Sequence, residues 1–347
     1  MAASTSKKNS VLLALSATSL AVTLGLALPA KADTLASPVQ QRLATVDDPD
    51  NHITTSFDGT ALLSGPPFHL CGTTLLPTGK HVLLAGHCLF SFDTGLQYST
   101  TDFTLDFGDG LIVTPERFYV RPDFDLFRVD HDIAIIELPE VLPDTITRYD
   151  IYRDSDEFGK IGTKIGFGGH GTGATGVPVI GESFDNQKRV GQNIYDAPGE
   201  ILNGLIPGFS ILEGTQLAYD FDNGLPENDA FGTVFGPDYA DLGLGINEVN
   251  SVLGDSGSPT FIDGLIAGLT SYGFGGDLSV ALQATDVTPG ITDSSFGEIS
   301  VDTRVSYYAK WIDNVLEDGN ISIPEPGTVA GLIAVGIGLV LKRRKTA

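Results

Sequence analysis

GDSGSP, Gly254 to Pro259, is the stretch on which the reading of this chain turns. Small residues beside an acid build ordinary turns, so by itself the hexapeptide is compatible with a glycine-rich loop. It is equally compatible with an exposed serine held for chemistry. A serine hydroxyl is a poor nucleophile at neutral pH: it needs a base to take its proton, and the base needs an acid to orient it and balance its charge. Two other stretches supply those groups. LLAGHC, Leu83 to Cys88, puts His87 just after an apolar run, and HDIAIIEL, His131 to Leu138, puts Asp132 at the head of another.

The segments around these residues are short, rich in Val, Ile, Phe and Tyr, and separated by Gly, Pro and Asp. They include HVLLAG from His81, LIVTPERFYV from Leu111, GTKIGFGG from Gly162, TQLAYDFDNG from Thr215 and PTFIDGLIAGLTSYG from Pro259. Runs of this length and composition predict strands, and with 42 glycines in the chain they predict an all-β sandwich or barrel. One segment differs. VSYYAKWIDNVLED from Val305 sets Val305, Tyr308, Ile312 and Val315 on one helical face, which predicts a single amphipathic helix after the β body. Residues 33 to 55 are polar and rich in Pro and Asp and read as a loose leader. Gly166 to Gly176 and Ala197 to Gly214 read as long surface loops.

With these stretches in hand, the chain resembles the chymotrypsin-family (trypsin-like) serine proteases from about Phe68 to Leu316. The order His87, Asp132, Ser256 matches that family and differs from subtilisin-like and α/β-hydrolase enzymes; Ser258 also stands where a G-x-S-x-G elbow has its second glycine. CGTTLL at Cys71 resembles the family strand before the catalytic histidine. GFG at Gly166 resembles its Gly-Trp-Gly, TSYG at Thr270 its Ser-Trp-Gly strand, and DTRVSYYAKWI at Asp302 the entry to its C-terminal helix. The resemblance implies two antiparallel six-stranded Greek-key barrels, at about residues 52–155 and 156–304, then a helix at 305–318, with the cleft between the barrels. It implies His87 as general base then acid, Asp132 as its orienter and Ser256 as the nucleophile of an acyl-enzyme. The N–H groups of Gly254 and Ser256 would form the oxyanion hole, and Ser271, Tyr272 and Gly273 would pair with a peptide as an added strand. No cofactor is required.

The resemblance leaves two points open. The family's pocket-base position matches Asn250, a neutral amide, whereas Asp302 matches a second position near the pocket floor where a carboxylate would favour a basic side chain. Both stand as candidate substrate-binding residues. Family zymogens mature by a cut that frees an Ile-Val-Gly-Gly-like amine to pair with the aspartate before the nucleophile, here Asp255. No such motif precedes Cys71, although a cut after Arg42 would release Leu43-Ala44-Thr45-Val46.

The ends of the chain address export. Lys7 and Lys8, a long apolar run and the small residues at Ala30 to Ala32 form a secretory signal over residues 1–32, followed by a leader or propeptide-like segment over 33–51. At the other end Pro324-Glu325-Pro326, an apolar stretch at 327–341 and Lys342 to Lys345 resemble the PEP-CTERM sorting signal of bacterial exported proteins over residues 319–347. That resemblance implies a transient membrane anchor, removal by an exosortase-type sorting protease, and a destination in the cell envelope, at the cell surface or in the extracellular matrix. Setting aside residues 1–32, with three lysines, and 324–347, with four basic residues and Glu325, leaves 13 basic and 43 acidic residues, a charge near -30. Such acidity opposes binding to nucleic acid; protein or peptide is the expected partner.

Cys71 and Cys88 are the only cysteines. In an exported chain a pair favours a disulfide over two free thiols, and the resemblance puts both at the family's histidine-loop bridge. No Cys-x-x-Cys or compact His/Cys cluster points to zinc. The remaining histidines, His52, His69, His81, His131 and His170, read as solvated or locally satisfied. DFDNG at Asp220 offers acids and an amide to a cation but lacks the EF-hand spacing, and reads as a turn. A rival to the enzyme reading is a non-catalytic protease-fold module for binding or adhesion at the cell surface.

Overall fold

The computed structural model describes residues 43–66, 69–177, 184–205 and 210–318. The stretches read above as a signal peptide (1–32) and a sorting signal (319–347), with residues 33–42 of the leader reading, lie outside the described residues. Alternation explains the first sheet. In Thr60–Gly65 the side chains of Ala61 and Leu63 enter one hydrophobic core while Leu62 enters another, as the period of two in an extended strand requires. The strand at Ala134–Glu137 does the same: Ala134 and Ile136 face the first core, Ile133 and Ile135 the second. Both faces are covered, hence the unbroken apolar run in DIAIIEL. Each fully buried Ile contributes about 1.5–3 kcal/mol.

This curled antiparallel sheet has seven strands in the order Ile112–Val113, Thr104–Asp106, Thr60–Gly65, His69–Leu75, His81–Leu84, Ala134–Glu137 and Arg117–Val120. A second runs Arg189–Ile194, Ile161–Gly166, Pro259–Ile262, Leu265–Phe274, Ile299–Arg304, Gln216–Asp220 and Ala197–Pro198. The expected count was six strands each; the short edge strands account for the difference. The helix Val305–Asp318 follows directly. Val305, Tyr308, Trp311, Ile312 and Val315 are buried against Leu83 and Ile135 of the first sheet and Ile165 and Leu269 of the second, in a core shared by both.

Two sequence expectations are corrected. Leu43–Thr45, assigned to a loose leader, is a strand, parallel to His170–Thr172 and antiparallel to Val249–Asn250. Gly166 to Gly176, read as a surface loop, is mostly buried, because its glycines let backbone approach backbone: a Cβ at Gly168 would stand 2.6 Å from Leu253 O and 2.7 Å from Asp255 N. Part of Ala197 to Gly214 is likewise ordered, as the strand Ala197–Pro198 and a 3-10 turn at Gly199–Leu202.

Candidate active site

His87 lies in a 3-10 turn, Gly86–Leu89, that leaves the strand His81–Leu84. That strand pairs with Ala134–Glu137, Leu84 opposite Ala134, so the residues just beyond the paired ends meet. They are His87 and Asp132. Asp132 is fully buried and grips the histidine twice: His87 N donates to Oδ1 at 2.8 Å, and His87 Nδ1 lies 2.8 Å from Oδ2. A carboxylate only accepts, so Nδ1 carries the proton and Nε2 is left as an acceptor. The Ser271 hydroxyl also donates to Asp132 Oδ2, at 2.5 Å, and Thr303 Oγ1 donates to Asp132 O at 2.9 Å.

Cys71 and Cys88 form a disulfide, which fastens the histidine turn to the strand His69–Leu75. Closing a loop of this size contributes about 3 kcal/mol in the chain-entropy view. Both sulfurs are thereby committed, so their closeness to His87 makes no metal site.

Ser256 sits in a turn between the strands Val249–Asn250 and Pro259–Ile262, with Gly254 at φ 96° and Gly257 at φ 75°. At both, an L side chain would be strained. Asp255, Gly257 and Ser258 spend their N–H groups on Val252 O, Thr270 O and Asp255 O. Among the described residues the N–H groups of Gly254 and Ser256 have no such acceptor. Ser256 Oγ makes no hydrogen bond to His87 among the described residues, but both side chains line one cavity of about 380 Å³.

Asp255 is fully buried, and the partner it needs is backbone. Its Oδ1 accepts from Phe167 N at 2.9 Å and Gly168 N at 2.7 Å, and its Oδ2 from Val252 N at 2.9 Å. Burial raises its carboxyl to about 6, while these three donors and Lys164 pull the other way.

Ser271, Tyr272 and Gly273 line the cavity together with Ser251, Thr270 and Ser300. A register shift between Thr270 and Tyr272 frees Ser271 from the ladder to reach Asp132. Tyr272 is half-buried and donates its hydroxyl to Gln216 Oε1 at 2.6 Å. Neither of the two expected pocket-floor residues is among those lining the cavity. Asn250 is buried opposite Ala44, its side-chain oxygen accepting from Ser251 N. Asp302 is wholly buried, bound by Lys164 Nζ at 2.9 Å, Thr260 Oγ1 at 2.6 Å and the Tyr195 and Tyr219 hydroxyls. A buried lysine requires such a counter-charge, and Asp302 supplies it to Lys164.

The acid that does line the cavity is Asp293, which sequence reasoning missed. It comes from the long segment between Phe274 and Ile299, where no motif sets the register. Burial raises its carboxyl, and Thr288 Oγ1 donates to it at 2.8 Å. Of the other histidines, His52 meets Asp47 and Val190 O, His69 meets Cys88 O, His81 meets Thr78 and His131 meets the Tyr308 hydroxyl. Among the described residues no helix is long and apolar enough to cross a membrane.

Two curled antiparallel sheets with a closing helix and this cleft define a trypsin-like double barrel. Residues 50–191 match the Trypsin family model, a span that includes His87 and Asp132 and ends before Ser256. Among solved structures the chain is similar to neuropsin, a serine protease expressed in the limbic system of mouse brain. The TM-score is 0.52 at 18% identity, over 76% of this chain and 96% of that one. No curated protein sequence matches. The family match covers the part of the chain that carries His87 and Asp132, and the structural match shows the shared fold.

Proposed function

We propose that the chain is an exported serine endopeptidase. His87, oriented by Asp132, takes the proton of Ser256; Ser256 attacks the peptide carbonyl; the N–H groups of Gly254 and Ser256 receive the developing oxyanion; and His87 returns the proton to the leaving amine. The observation that carries the reading is the doubly held His87–Asp132 pair facing the same cavity as Ser256, beside two N–H groups without a backbone acceptor among the described residues. Ser271 to Gly273 extends along that cavity, which suits a peptide backbone added as a strand. The apolar and charged ends of the sequence support export and surface sorting.

Specificity rests on Asp293. It is the only acid among the described lining residues, so a Lys or Arg side chain entering the cavity would meet an opposite charge. Maturation is proposed after Arg42. The arms that flank Leu43–Thr45 run on, in both directions, into residues that hold Asp255: Gly168 precedes one and Val252 follows the other. A new amine at Leu43 would therefore emerge beside the loop that presents Ser256. The test is digestion of a mixed peptide library followed by mass spectrometry, with and without cleavage at Arg42. Cuts clustered after Lys and Arg support the reading; a protein shown to be folded that cuts nothing in either form counts against it.

A further inference from the structure

Away from the cleft, at the end of the strand Gln216–Asp220, the chain turns back through the DFDNG stretch and closes on itself. Asn223 Nδ2 donates to Asn228 Oδ1 at 2.7 Å, which returns Asp229 to the side of Asp220 and Asp222. One carboxylate oxygen from each of the three lies within 4.8 Å of the other two. All three residues are buried, at 2%, 2% and 5% exposure. A bare cluster of acids in the interior is costly, and among the described residues none of the three forms an ion pair with a lysine or arginine. The charged groups acting on them are further carboxylates: Asp241 on all three, and Glu248 on Asp222.

The oxygens are not equally occupied. Asp220 Oδ2 accepts from Ala230 N and Phe231 N, and Asp229 Oδ1 accepts from Gly232 N. Asp222 Oδ1, by contrast, is buried and has no hydrogen-bond partner, although it belongs to the same cluster. An orphaned carboxylate oxygen in the interior asks for a ligand. Calcium takes six to eight oxygens at about 2.3–2.6 Å, so two oxygens on one ion stand at most about 5 Å apart, a limit that the three oxygens here respect.

We propose that Asp220, Asp222 and Asp229 form a calcium site, with Asp241 and Glu248 adding negative charge around it. Its consequence reaches the cleft through the same strand. The Tyr219 hydroxyl is 2.6 Å from Ser251 Oγ in the cavity wall, and Phe221 pairs with Gly297 and Glu298 in the segment that carries Asp293. An ion here would brace the wall of the pocket without touching substrate.

The test uses the full-length protein stripped with EDTA and titrated with calcium chloride by calorimetry, with the thermal midpoint read in EDTA and in calcium on the order of 5 mM, above the affinity range of extracellular modules. The expected result is one site lost or weakened at least about tenfold in Asp222→Asn, together with a rise in the wild-type midpoint of about 3 °C or more that the variant does not show. Asp109→Asn, on the exposed surface, should keep the wild-type response. A wild-type protein with neither heat nor shift, or an Asp222→Asn variant with wild-type affinity and stoichiometry, would overturn the proposal. Both readouts are independent of catalysis.

Discussion

Gly72 N donates a hydrogen bond to Ser256 O at 2.7 Å, so the strand bearing Cys71 is fastened directly to the serine of the second sheet's turn. Through the Cys71–Cys88 disulfide the same strand also holds the turn of His87. One short segment therefore sets the distance between base and nucleophile. The approach is possible only without a side chain: a Cβ at Gly72 would stand 2.8 Å from Ser258 Cβ and 2.9 Å from Ser258 Cα.

Gly72→Ala should lower kcat/KM by about a hundredfold, because a displacement on the order of 1 Å at a reacting group costs that much. It should also destabilise the fold by about 1–3 kcal/mol through overpacking. Steady-state kinetics and urea unfolding of the same preparation check both. Wild-type kinetics in the variant would show that the two sheets are positioned some other way.

Asp302 and Asp293 make opposite predictions. Asp302→Asn leaves Lys164 charged and buried, which should cost about 3–5 kcal/mol of stability while the side-chain preference of the residual activity stays the same. Asp293→Asn should change stability little and reduce the preference for Lys or Arg over neutral side chains by about tenfold or more. Paired chromogenic peptides differing at one position measure the preference, and denaturant titration measures the stability.

The Asp255 carboxyl is raised from its ordinary 3.8 to about 6 in the folded protein, so between these values the folded state binds more protons than the unfolded one. Its stabilising contribution is complete below 3.8 and is lost as pH rises through 6. The change amounts to about 3 kcal/mol at most. Unfolding free energies measured from pH 4 to 7 should fall more steeply in the wild type than in Asp255→Asn. Parallel slopes would mean that Asp255 titrates like an exposed acid.

The strand pattern and the stretches that carry His87, Asp132 and Ser256 were legible because each is encoded locally. LLAGHC and HDIAIIEL carry their own periodicity, and the chemistry of Ser256 demands particular neighbours. The C-terminal helix could be read from the spacing of Val305, Tyr308, Ile312 and Val315. The ion pair of Asp302 was not legible, because its counter-ion, Lys164, is 138 residues away in sequence. Leu43–Thr45 was hidden because three residues carry no periodicity; their partners, at 170–172 and 249–250, are what make them a strand. Asp293 and the cluster around Asp222 arise from loops folding back, which composition does not encode.

A cut after Arg42 should produce a protein whose amino terminus is Leu43 and whose peptidase activity exceeds that of the uncut chain. Arg42→Gln should block both under the same protease treatment. Intact-mass measurement and peptide hydrolysis on one sample decide it; full activity in uncut Arg42→Gln would mean that the backbone donors of Phe167, Gly168 and Val252 suffice to hold Asp255.

Labelling with a fluorophosphonate decides whether Ser256 is an activated nucleophile. The expected result is stoichiometric modification of Ser256, mapped by mass spectrometry, that disappears in Ser256→Ala and falls steeply in His87→Ala. A folded protein, cut and uncut, that takes up no probe, or takes it up equally in Ser256→Ala, would contradict it.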